Sequence, residues 1–165
     1  MSLAATIKLL MRLTHTKAVD LSTLSDPLSL SRGVELTNGT GANQADTVWH
    51  DTRTLADGAN ETLDLHDGSL TDVFGDAVTI DELKVLYIKN NSTDANLLIG
   101  GAAATQLGLY NDVSDILKLR PGGEFLVTAP DAAGIDITTN SDLKIAHDGT
   151  GTSSLTYDII AIGVD

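Results

Sequence analysis

The chain has 165 residues and a mass of 17.3 kDa, the length of one ordinary domain and enough to bury a core without disulfides or metal. Cysteine is absent, which excludes disulfide scaffolds, thiol catalysis and cysteine-ligated zinc or iron–sulfur clusters. Ten basic residues against 23 acidic ones give a net charge of −13, and such a surface repels nucleic-acid phosphate.

The opening segment, Met1 to Leu13, places two cations, Lys8 and Arg12, inside its apolar part, so it reads as mature structure and not as a secretory signal. Leu3, Ala5, Ile7, Leu9, Met11 and Leu13 share one parity, while Thr6, Lys8, Arg12 and Thr14 take the other. That is the pattern of a half-buried strand. The first nineteen residues contain no acid and contribute +3, leaving −16 for the rest. An isolated basic, apolar edge strand is an aggregation liability unless it pairs, within its own sheet or with a neighbouring subunit. Ile7, Lys8, Leu9, Met11, Arg12 and Leu13 are therefore the candidate contact residues for a second subunit or another partner. The Ser/Thr/Asp-rich stretch from Val19 to Ser29, with Pro27, reads as a long connection, which divides the chain into an N-terminal arm (1–27) and a body (28–165).

Further strands are expected at Leu28 to Thr37, Asp46 to Leu55, Glu61 to His66, Glu82 to Lys89, Leu97 to Ile99, Ile116 to Leu119, Glu124 to Thr128, Asp142 to His147 and Ser154 to Ile162. Asp57-Gly58 between the second and third of these reads as a hairpin turn. Pro121-Gly122-Gly123 and Asp148-Gly149-Thr150-Gly151 mark other turns. One helical turn is expected at Ser69 to Phe74, with Ser69 as its cap. Turn signals recur about every eight to twelve residues, the rhythm of a β-sandwich or barrel. Nineteen Asp against four Glu fit the same picture, since Asp favours turns over helix interiors. No run of about eighteen apolar residues exists, so no membrane span is expected.

The chemistry-bearing residues give no constellation above the composition. His15, His50, His66 and His147 include no H-x-x-x-H pair, and no G-x-S-x-G elbow is present. His50-Asp51 and His66-Asp67 are suggestive pairs, but adjacent strand residues face opposite sides. Asp64, Asp67, Asp72 and Asp76 miss the calcium-loop spacing and read as solvated turn carboxylates. Gly39-Thr40-Gly41 and Gly149-Thr150-Gly151 lack the context of a phosphate loop. Aromatic residues are only 4% of the chain, too few for a stacking platform, with Trp49 and Tyr110 the plausible exposed ones. No catalytic residue, metal or cofactor is expected.

Several segments taken together are familiar. GANQADTVW at Gly41 to Trp49 leads into DTRTL at Asp51 to Leu55, followed by Leu-Thr-Asp-x-Phe-Gly at Leu70 to Gly75 and ELKVLYIKN at Glu82 to Asn90. After these come Leu97 to Gly101, Leu119 to Gly123, Ala129-Pro130-Asp131-Ala132 and LTYDIIAIG at Leu155 to Gly163. Over residues 34–163 this order resembles small virion proteins encoded near the major capsid gene of tailed bacteriophages, which are taken to be capsid decoration (cement) proteins. The resemblance implies an all-β, single antiparallel β-sandwich, jelly-roll-like and with negligible helix. It also implies a non-enzymatic structural protein on the virion surface, with the major capsid protein for a partner. The N-terminal arm is expected to make its contacts within a homo-oligomer, a homotrimer being favoured, or against the capsid. A carbohydrate-binding or adhesin-like sandwich on the virion is the alternative, and it needs an exposed aromatic or a loop cluster. A cupin-type enzyme would need clustered metal histidines, which this chain lacks.

Overall fold

The computed structural model describes residues 2–102, 105–151 and 153–165. Fourteen strands are present among them, and no α-helix. Eight of these strands build two facing antiparallel sheets. The first sheet runs β11 (Glu124–Thr128), β8 (Glu82–Asn90), β14 (Leu155–Val164), β4 (Thr47–Leu55), with β12 (Ile135–Asp136) also paired to β8. The second runs β10 (Ile116–Leu119), β9 (Leu97–Gly100), β13 (Asp142–His147), β5 (Asn60–Asp64). Each consecutive pair β4–β5, β8–β9, β10–β11 and β13–β14 passes from one sheet to the other, so the two orders match position by position. This is the strand order of a jelly roll.

The expectation of a hairpin across Asp57-Gly58 is therefore corrected. The turn itself forms, with Gly58 at a φ of 66° and the Ala59 amide donating to the Ala56 carbonyl at 2.9 Å. But β4 pairs with β14 and β5 with β13. Leu55 and Leu63 enter the same core from opposite sheets, which a flat hairpin would not allow. The helical turn at Ser69 to Phe74 is absent as well. Leu70–Thr71 forms the short strand β6, paired with β7 (Ala77–Val78), because Asp72 turns the chain by accepting the amides of Phe74 and Asp76.

Alternation sets the core. Leu155, Tyr157, Ile159 and Ala161 of β14 are all fully buried, as are Leu86 and Ile88 of β8 and Leu143 and Ile145 of β13. With so few aromatics the filling is mostly aliphatic, with Trp49 and Tyr157 buried in it and Tyr110 and Phe125 packed against its margin. Tyr157 needs a partner for its hydroxyl. It donates to Glu61 Oε1 at 2.9 Å, and Glu61 Oε2 accepts from Arg53 Nε at 2.7 Å, which links β14 and β4 to β5 across the sandwich.

The Lys84 ammonium is a buried charge. Lys84 has no exposed side-chain surface, and its ammonium donates to Glu82 Oε2 at 2.8 Å and to the carbonyls of Asp131 and Ala132 at 2.9 Å each. It ties the β11–β12 loop to β8. Lys84→Met keeps the stem's volume but leaves two carbonyls and a carboxylate without their donor. We expect that variant to lose about 2 kcal/mol, read as a shifted denaturation midpoint with an unchanged slope.

The N-terminal segment departs most from expectation. β1 (Ala4–Val19) and β2 (Ser22–Asn38) form one continuous antiparallel hairpin, in register from Ala4 opposite Thr37 to Val19 opposite Ser22. The stretch read as a connection, Val19 to Ser29, is the turn and first half of β2, and the boundary expected at residue 27 falls in mid-strand. Pro27 is accommodated opposite Thr14, in a ribbon with no further strand beside it there. Only the base of β2 gains a second neighbour, the two-residue parallel strand β3 (Gln44–Ala45).

Candidate functional site

Hairpin register sorts the arm's side chains onto two faces. One face carries Ala5 opposite Leu36, Ile7 opposite Val34, Leu9 opposite Arg32, Met11 opposite Leu30 and Leu13 opposite Leu28. The other carries Thr6 opposite Glu35, Lys8 opposite Gly33, Arg12 opposite Ser29 and Thr16 opposite Ser25. As far as Leu13 and Leu28 the first face is apolar apart from Arg32 and the second polar apart from Leu10 opposite Ser31; beyond them the first face turns mixed, with His15 opposite Asp26 and Lys17 opposite Leu24.

Burial, however, follows the alternation only at the root. Leu3, Ala5, Ile7, Val34 and Leu36 pack with Val48, Val85 and Ile162 on the outer face of the first sheet. From Leu9 onward β1 is exposed on both faces. Leu9 is 48% exposed, Met11 46%, Leu13 44%, Leu24 59% and Leu28 52%. The arm thus runs free for ten further residues to Val19, roughly 35 Å at strand rise. Eight of the fourteen exposed large apolar residues among those described lie between Leu9 and Leu28. A lone two-stranded ribbon is marginal in water, and monomers rarely leave such an apolar face open.

Of the six residues singled out in the sequence, Ile7, Leu9, Met11 and Leu13 share the apolar face, with Ile7 seated on the body. Lys8 and Arg12 stand on the opposite, solvent-facing side. Leu28 and Leu30, the cross-strand partners of Leu13 and Met11, lie in the strand expected at Leu28 to Thr37 but were not singled out as contacts, and Leu24, opposite Lys17, fell in the stretch read as a connection.

Elsewhere the titratable groups serve the scaffold. His147 is buried, accepting from the Gly149 amide through Nδ1 and lying 3.0 Å from the Ser153 carbonyl through Nε2, an arrangement that fits the neutral Nε2–H tautomer. His66 Nδ1 lies 3.1 Å from Asp81 Oδ1 and 3.2 Å from the Ile80 carbonyl. His50 is exposed on β4 opposite Ile160, and His15 faces Asp26 on the arm. Among the described residues no group of three or more His, Cys, Asp or Glu is placed to hold a metal ion. Trp49 is buried and Tyr110 half-buried with its hydroxyl donating to the Ile99 carbonyl at 3.0 Å, so neither offers an open ring platform.

Aspartate has a specific duty. In seven places an Asp Oδ1 accepts the amide two residues ahead: Asp64, Asp67, Asp72, Asp112, Asp131, Asp136 and Asp148. Glutamate, one methylene longer, does not close this ring as well, which accounts for the bias toward Asp. Hydrogen bonds from Ser69, Ser114 and Thr138 hold Asp67, Asp112 and Asp136 below the ordinary carboxyl value of 3.8. Burial pushes Asp148 up, but Lys118, Thr150 and Asn96 together outweigh it and hold its carboxyl far below that value. Folding therefore favours the ionised forms. Their contribution is complete above 3.8 and is lost as pH falls through the lower folded values. Melting temperature is expected to be insensitive to these groups from pH 7 to 5 and to fall steeply below about pH 4, as followed by circular dichroism.

The chain matches no family model, no curated protein and no solved structure.

Proposed function

We propose that this protein is a non-enzymatic structural component that binds through its hairpin arm, a capsid decoration protein of the kind its sequence resembles. The observation that carries the reading is the apolar face of the arm, which continues from the seated root to Leu13 and Leu28, interrupted only by Arg32, and is exposed beyond the root. An apolar face preserved along a projecting ribbon is of use only when something covers it. A jelly-roll body tied by aspartate turns and a bridged aliphatic core gives that arm a rigid mount. Residues 1–38 hold four cations and three acids, so the acidic excess of 14 lies entirely on the body. Such a body stays soluble at high concentration and is drawn to basic patches on a shell.

In this reading the partners are the major capsid protein and further copies of the chain, and the place of action is the capsid surface. The glycan-binding alternative has no exposed Trp49 or Tyr110 to build on. The test is co-sedimentation of the purified protein with undecorated capsid shells, with a glycan array run in parallel. Saturable binding to shells with no glycan signal is the expected result. Glycan binding without shell binding would overturn it.

A further inference from the structure

The outer face of the first sheet is arranged in rows set by register. One row, Thr128–Val85–Ile162–Val48, lies at the root of the chain's own arm, which covers its apolar members. The next row, two residues along each strand, is Leu126–Tyr87–Ile160–His50. It is apolar at its centre and uncovered, with Leu126 42% and Ile160 36% exposed. A third row, Glu124–Lys89–Asp158–Thr52, is polar and carries one net negative charge. An open groove of about 550 Å³ lies between residues 5–9 of the arm and Tyr87, Leu126 and Ile160 of the sheet.

From these rows we infer that the second row is the docking site for the arm of another copy of this chain. The inference rests on the reading of the arm as the binding element and names what it binds. Three observations select a second copy. The arm's apolar face already packs on this sheet within the chain, Ile7 and Val34 clustering with Val85 and Ile162, and the uncovered row continues that same surface. A second arm lying beside the first would repeat known packing one row further on. Its reach of roughly 35 Å is enough to cross a neighbouring body. The charges also agree: Lys17 and Arg32, which share the arm's docking face with Met11 and Leu13, would approach the row bearing Glu124 and Asp158, on a body of net charge −14.

Cross-linking tests this cleanly, because the chain contains no cysteine. Leu13→Cys and Ile160→Cys alter exposed positions and should not disturb folding. The two variants are purified separately, mixed, oxidised gently and run on a non-reducing gel, beside a control mixing Leu13→Cys with Asp57→Cys in an exposed loop. A band at twice the chain mass in the first mixture and not in the control, together with a wild-type mass above that of a monomer by light scattering, is the expected result. An assembled wild type without the cross-link would overturn the docking face. A wild type that stays monomeric at every concentration would overturn the second copy as occupant. If arm trimming still abolishes shell binding in that case, the functional reading survives and the arm's partner is the shell.

Discussion

Replacing Leu9–Arg32 with a two-residue Asn-Gly turn is expected to leave a folded jelly roll that no longer self-associates or binds shells. Lys8 and Gly33 are cross-strand partners, so a tight turn between them closes the shortened hairpin in its existing register. The root residues Ala5, Ile7, Val34 and Leu36 stay seated on Val85 and Ile162, and the core is untouched. The removed segment is almost wholly exposed, so its loss costs the monomer little, and the melting temperature should stay within a few degrees. Association should suffer far more. Each leucine covered on docking contributes about 1.5 kcal/mol or more, so losing several weakens binding by well over 100-fold. The check pairs thermal melting with light scattering and shell co-sedimentation. A trimmed chain that unfolds would show that the arm belongs to the body's own stability.

Tyr157→Ala should produce the largest loss of stability. Tyr157 is completely buried near the start of β14, the strand paired to both β8 and β4. Truncation opens a cavity among aliphatic neighbours that have no aromatic residue to spare, and it strips Glu61 of the hydroxyl it accepts from. A cost of about 3–5 kcal/mol follows, which lowers the melting temperature by roughly 10 °C. Tyr157→Phe keeps the ring and loses only the hydrogen bond, so about 1–2 kcal/mol is expected. Chemical denaturation of the two variants separates the packing contribution from the polar one. Equal losses would show that the Glu61 bridge dominates.

Strand positions were legible because period-two alternation is a local property. Glu124–Thr128, Ile116–Leu119 and Asp142–His147 fall where the pattern puts them, and β8 differs from expectation only by ending at Asn90. Pairing was not legible, since it depends on which sheet receives the strand after a turn. Asp57-Gly58 has the chemistry of a hairpin turn but serves a crossing between sheets, and nothing local distinguishes the two. The arm was half visible. β1's alternation and missing acids marked it, and the second half of β2 was expected as the strand Leu28 to Thr37, whereas its first half was obscured by its Ser and Thr residues and Pro27. The Leu126–Tyr87–Ile160 row could not be found from sequence, because its members come from three strands and become neighbours only through register.

The account stands on the claim that the exposed arm is covered when the protein performs its function. Amide hydrogen exchange, read by mass spectrometry on peptides spanning residues 9–32, measures that directly. In dilute, unassembled protein these amides should exchange fast, since the ribbon has open edges and no sheet beneath it. In the assembled or shell-bound state they should become strongly protected, while peptides from β8 and β14 stay slow throughout. Arm peptides that exchange equally fast in the free and assembled states would contradict the account.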